Sequence, residues 1–123
     1  MLRIDFRDAR PIYEQVADGI EDLAMHSVMK PDEQLPSVRQ LAMELSINPN
    51  TIQRAYSELE NRGVIYSVKG RGNFISGDSD SLRQRRLDEI AQQIYALAQA
   101  ARELGADTAT LTSWLAGKEG ENL

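Results

Sequence analysis

Cysteine is absent from this chain, which removes disulfides, thiolate metal centres and a cysteine nucleophile together. Histidine is almost absent, with His26 standing alone. One histidine among scattered carboxylates has no metal-ligand spacing. Nor can a nucleophile, a base and an orienting residue be assembled into an enzyme site. His26 falls near the end of the first predicted helix, where the dipole favours a cation, and reads as a surface residue. There is no apolar run long enough to cross a bilayer, and no charged-then-apolar leader at the start. These absences fit a cytoplasmic protein with no cofactor, metal or membrane partner. At 123 residues, 41% hydrophobic and 27% charged, the chain is expected to be a soluble globular protein, one ordinary domain or a small domain with an appendage.

The net charge of −5 argues at first against nucleic acid, but its distribution carries more information than its sum. Residues 1–34 and 76–123 are net acidic. Residues 35–75 carry 5 basic side chains (Arg39, Arg54, Arg62, Lys69 and Arg71) against 3 acidic ones (Glu44, Glu58 and Glu60). The single net-basic stretch therefore lies in the middle of the chain.

That stretch has a definite organisation. Ahead of it, Ile12, Val16, Ile20 and Leu23 recur at helical spacing from a start at Pro11, and the helix fades at His26-Ser27 before the Lys30-Pro31-Asp32 turn. Gly19 weakens that helix slightly. Ser37 and Gln40 form an S-x-x-Q capping box for a second helix with the stripe Val38, Leu41, Ala42 and Leu45. Asn48 caps a third helix with Pro49 at its first position, the stripe Ile52, Ala55, Tyr56 and Leu59, and Gly63 at its end. Val64–Val68 and Asn73–Ile75, around Lys69-Gly70-Arg71-Gly72, predict a β-hairpin.

Two short helices joined by a tight turn and followed by a hairpin with a basic glycine tip make the plan of a winged helix-turn-helix. The major groove of DNA admits one α-helix, and the turn holds the second helix clear of the body. With the apolar stripe inward, Asn50, Thr51, Gln53, Arg54 and Ser57 face outward. Asn and Gln can pair with adenine, Arg with guanine, and the Thr methyl can touch a thymine methyl. Arg39, beside the cap Ser37, sits where helix N–H groups meet phosphate. Lys69-Gly70-Arg71-Gly72 places two cations on a loop thin enough to skirt the minor groove. The alternative for each is an ordinary solvated surface, and the combination of turn and hairpin favours DNA over it.

Four blocks make the likeness specific: Leu35-Pro36-Ser37-Val38-Arg39-Gln40-Leu41-Ala42, then Ile47-Asn48-Pro49-Asn50-Thr51-Ile52-Gln53-Arg54-Ala55-Tyr56, then Leu59-Glu60 and Gly70-Arg71-Gly72. In this order they resemble the DNA-binding domain of the GntR family, and Pro11-Ile12-Tyr13-Glu14-Gln15 is similar to the start of that family's first helix. The resemblance covers about the first 75 residues. The short helical tail resembles the YtrA-like branch, which lacks larger effector domains. The resemblance implies a dimeric repressor on an inverted repeat of double-stranded DNA, with Arg39, Asn50, Thr51, Gln53, Arg54, Lys69 and Gly70 at DNA-contacting positions; the cap Ser37 and the loop residues Arg71 and Gly72 join them as DNA-binding candidates. The family often has glycine where Ser27 and Asp32 stand here, and arginines in other branches replace Pro49 and Gln53.

After the polar linker 76–81, Leu87, Ile90, Ile94, Leu97, Ala101 and Leu104 follow at spacings of 3 and 4 in a long helix that Ser81 and Gln84 are expected to cap. Gly105 ends it. Asp107 caps a short helix with Leu111, Trp114 and Leu115 on one face before Gly117. These apolar residues are read as a homodimerisation seam, since about 40 residues rarely bury a core alone. The expected fold is mainly α with a small β-hairpin: a winged helix-turn-helix in 1–75, the linker, and a two-helix dimerisation tail in 82–123. The competing reading is a winged helix used for protein–protein contact, which the acidic total keeps open. The residues name no small-molecule effector.

Overall fold

The computed structural model describes residues 2–122, with side chains as far as Gly117. Met1 and Leu123, the outer ends of the two expected domains, lie outside the described residues. The order of elements is α1 (Ile12–Met25), α2 (Val38–Leu45), α3 (Pro49–Asn61), β1 (Ile65–Val68), β2 (Gly72–Ile75), α4 (Ser79–Glu103) and α5 (Thr108–Asn122). The chain divides between Gln84 and Arg85 into two compact units. The fold is thus mainly helical with one antiparallel hairpin, as the sequence implies.

In the first unit the helical stripes converge. Val16 and Ile20 of α1, Leu41 of α2, and Ile52, Ala55, Tyr56 and Leu59 of α3 are buried with Val64, Ile65 and Ile75 of the hairpin. Ile52 and Leu59 are wholly inaccessible, so cutting either to alanine costs about 2–5 kcal/mol. The caps match the residues that prescribe them. Ser37 Oγ accepts from Gln40 N–H while the Gln40 side chain accepts from Ser37 N–H, closing the capping box. Asn48 Oδ1 accepts from Asn50 N–H, and Pro49 fills the first turn of α3.

The hairpin pairs Ile65 with Ile75 and Val68 with Gly72. A third segment joins it, which composition did not reveal. Asp32 N–H donates to Ile75 O, Ile75 N–H to Glu33 O, and Leu35 N–H to Asn73 O, each at 2.8–2.9 Å. The wing is therefore anchored directly to the stretch that leads into α2. Ser27, Asp32 and Ser46 adopt positive φ of 59°, 64° and 55°. At the first two, where the resemblance leads one to expect glycine, serine and aspartate take up the left-handed region that glycine adopts freely.

The residues ahead of α1 are strapped to it by Gln15, the one buried polar side chain among the described residues. Its Oε1 accepts from Asp5 N–H, and its Nε2 donates to the carbonyls of Asp5 and Arg10. Gly19 has a packing reason that propensity conceals, because a Cβ there would lie 2.5 Å from Leu2 Cδ2.

The start of α4 differs from expectation. Asp78 rather than Ser81 caps it, accepting from Ser81 N–H at 2.8 Å. Three residues of the segment read as linker are already helical. Leu82, in the helix so begun, is 4% exposed in the first unit's core. In the second unit Gly105, at φ 100°, ends α4. Asp107 Oδ1 caps α5 through Thr110 N–H, and Gly117 breaks its helical run. No helix of the described residues is long and apolar enough to cross a membrane.

Candidate nucleic-acid interface

The outward face of α3 is set by what the inward face must bury. Ile52, Ala55, Tyr56 and Leu59 point into the core, so Asn50, Gln53, Arg54 and Ser57 are exposed and Thr51 is half-buried. Gln53 Nε2 is a long 3.5 Å from Ser57 Oγ, a contact weak enough to give up to a ligand. Tyr56 reaches through the core to donate its hydroxyl to Pro36 O at 2.7 Å, fixing α3 against the entry to α2. Burial, aided by the charge of Glu44, raises the Tyr56 pKa well above its ordinary value, so the phenol stays a donor.

At that entry Ser37 Oγ and N–H are both engaged in the capping box, leaving its hydroxyl proton to offer outward. Arg39, one residue into α2, is exposed. The tip of the wing presents Lys69, Gly70, Arg71 and Gly72, all exposed. Its backbone is held by Gln34, whose Nε2 donates to Arg71 O at 2.7 Å. Between wing and α2 lies a groove of about 740 Å³ whose lining includes Gln34, Ser37, Gln40, Arg71, Gly72 and Asn73. The groove thus joins the cap of α2 to the basic wing tip.

Charge pairing separates the cations of residues 35–75 into two kinds. Arg62 bonds to Asp18 and Glu58 at 2.8 and 2.9 Å, with Glu21 at 3.6 Å. Burial works against its charge, but the hydrogen bonds of Asp18 and Glu58 outweigh it and hold the guanidinium above its ordinary pKa. Among the described residues, Arg39, Arg54, Lys69 and Arg71 pair with no carboxylate. Arg54 lies instead over the ring of Tyr13, 3.9 Å from its centroid. Neither Gln34 nor Tyr13 was singled out from sequence. Tyr13 carried a signal, being an aromatic residue beside the core stripe of α1, whereas nothing around Gln34 marked it.

The expected dimerisation residues lie in the second unit, from Leu87 to Leu115. Leu87, Leu97, Leu104, Trp114 and Leu115 are 57–91% exposed, Ile90 and Ile94 less so at 38% and 43%, and Ala101 and Leu111 are half-buried. Ile94, Leu97, Leu111, Trp114 and Leu115 line one apolar groove of about 190 Å³ with Ala98.

Fold and face together define a winged-helix protein of the DNA-binding kind. The sequence signature of "Bacterial regulatory proteins, gntR family" matches residues 12–75. The chain is 38% identical over 116 residues to the HTH-type transcriptional repressor YtrA of Bacillus subtilis, spanning 94% of this chain and 89% of that protein. A GntR family transcriptional regulator from Listeria monocytogenes superimposes with a TM-score of 0.66 and 34% identity, covering 89% of this chain and 96% of that one. The DNA-binding domain of AraR in complex with its operator ORE1 does so with a TM-score of 0.54 and 26% identity, over 62% of this chain and 93% of that one. The chain belongs to the GntR family, whose members are transcriptional regulators rather than enzymes.

Proposed function

We propose that this chain is a cytoplasmic repressor that binds an inverted-repeat operator as a homodimer. Residues 1–75 form the reading head and 82–123 the dimerisation tail. Asn50, Thr51, Gln53 and Arg54 read base edges in the major groove. Ser37 and Arg39 take phosphates at the start of α2. Lys69, Gly70, Arg71 and Gly72 follow the backbone beside the minor groove.

The observation that carries this reading is the pairing pattern of the cations. An arginine that serves the fold is expected to be neutralised by protein carboxylates, as Arg62 is. Arg39, Arg54, Lys69 and Arg71 are exposed on α2, α3 and the wing without neutralisation, which suits a polyanion that supplies the counter-charge. The net charge of −5 is no obstacle, because residues 35–75 carry 5 basic against 3 acidic side chains and the acidic excess lies in residues 1–34 and 76–123.

For the dimer, support comes from the exposed seam of α4 and α5. Large apolar side chains left in water over this length favour cover by a second copy. A second head then binds within the same complex, so weak single-head affinity rises by orders of magnitude. Selection of duplexes from a random pool tests the whole reading, and a palindrome is the expected product. Ile90→Asp with Ile94→Asp is expected to give a monomer by sedimentation that holds a half-site only weakly. A wild-type monomer at tens of micromolar that still bound a palindrome tightly would contradict the dimer.

A further inference from the structure

Arg54 stands in the middle of α3, and helical spacing offers it Glu58 one turn on as a partner. The structure gives it a different one. Glu58 Oε2 is taken by Arg62 Nε at 2.9 Å, in the orientation with glutamate N-terminal to the cation, which the helix favours over the reverse. The Arg54 guanidinium instead lies 3.9 Å from the centroid of the Tyr13 ring. Tyr13 is itself half-buried and packed against the core at the start of α1. Its hydroxyl donates to Glu14, so the ring is held on both its apolar and its polar sides.

A neutral π face differs from a carboxylate in one respect that matters here. It holds a guanidinium in place without cancelling its charge or occupying its N–H donors. We propose that Tyr13 is a positioning residue for Arg54, keeping its guanidinium pre-ordered above α3 for a pair of acceptors on duplex DNA. This rests on the DNA-reading role given above to α3. The free side chain would lose rotamer freedom on binding, and the stack removes part of that cost beforehand. A guanine edge and a phosphate both offer the required two acceptors.

The test is a double-mutant cycle on the full chain, using a duplex selected by the wild type. Tyr13→Leu is expected to weaken binding on the order of fivefold, while Tyr13→Phe, which keeps the ring, stays within about twofold. In the Arg54→Ala background, Tyr13→Leu should add no further loss. Loss confined to the selected duplex identifies a guanine edge, and equal loss on random duplexes identifies a phosphate. In the free protein, the Arg54 side-chain protons should show a ring-current shift in the wild type and in Tyr13→Phe but not in Tyr13→Leu. An equal loss from Tyr13→Leu with or without Arg54 would overturn the positioning role, since Tyr13 would then act only through the fold. If the wild type selects no duplex while the ring-current shift persists, the DNA-reading role itself falls and the positioning role falls with it.

Discussion

The hydroxyl of Tyr56 donates to the carbonyl oxygen of Pro36 at 2.7 Å, with the ring 2% exposed in the core. This bond ties α3 to the residue just before the capping box of α2. The two elements proposed to meet DNA are thereby held in one frame by a side chain turned into the core. Tyr56→Phe keeps the ring and leaves the Pro36 carbonyl without its donor, at a cost of about 1–2 kcal/mol. Denaturant melts of the two proteins check this. Equal midpoints and slopes would mean that the bond contributes nothing net.

The wing and the helix-turn-helix turn predict opposite responses to glycine chemistry. Gly72 has φ 121°, and a Cβ there would lie 2.9 Å from Gln34 Nε2, the group that holds Arg71 O. Gly72→Ala is expected to destabilise by about 1–3 kcal/mol and to loosen the wing tip. Ser46 has φ 55° between α2 and α3, a left-handed value that costs a serine more than a glycine. Ser46→Gly is therefore expected to stabilise by up to about 1 kcal/mol, strain relief exceeding the added chain entropy. Thermal melts of both variants give the two signs, and a stabilising Gly72→Ala would refute the close approach of Gln34.

Much of this was legible in the chain before any coordinates. Ser37, Gln40, Asn48 and Pro49 are local signals, each acting within a few residues, and the caps they prescribe form as read. The burial of Ile52, Ala55, Tyr56 and Leu59 follows from helical period alone. What could not be read depends on contacts distant in sequence. Gln34 meets Arg71 across 37 residues, and Arg54 meets Tyr13 across a helix–helix interface. At the start of α4, Ser81 and Gln84 have the spacing of a capping box, while Asp78, three residues earlier, takes the Ser81 N–H. Gly19 read as a helix weakness and proved to be the space for Leu2.

The cap of α5 makes stability depend on pH in a stated direction. The hydrogen bond from Thr110 N–H lowers the Asp107 pKa below its ordinary value. A depressed folded pKa contributes stability that is fully present above the unfolded value, about 3.9, and is lost as pH falls through the folded value. The amide proton of Thr110 should thus titrate with a midpoint below about 3.9 and lose its downfield shift in acid. Asp107→Asn keeps the cap without a titrating group and should abolish that step. A midpoint at or above the ordinary carboxylate value would show that the cap favours the protonated acid.

In the proposed function, the unneutralised cations and polar groups of α3 and the wing bind duplex DNA. Its most direct test is titration of one selected duplex, over a series of salt concentrations, with the wild type and with a variant carrying Gln53→Ala, Arg54→Ala, Lys69→Ala and Arg71→Ala. These side chains are exposed, so the variant should fold, as its circular dichroism will report. It is expected to lose roughly a hundredfold or more in affinity, and its slope of log affinity against log salt should fall by about one for each phosphate contact removed. A folded variant that binds the same duplex as tightly as the wild type, with the same salt slope, would contradict the claim.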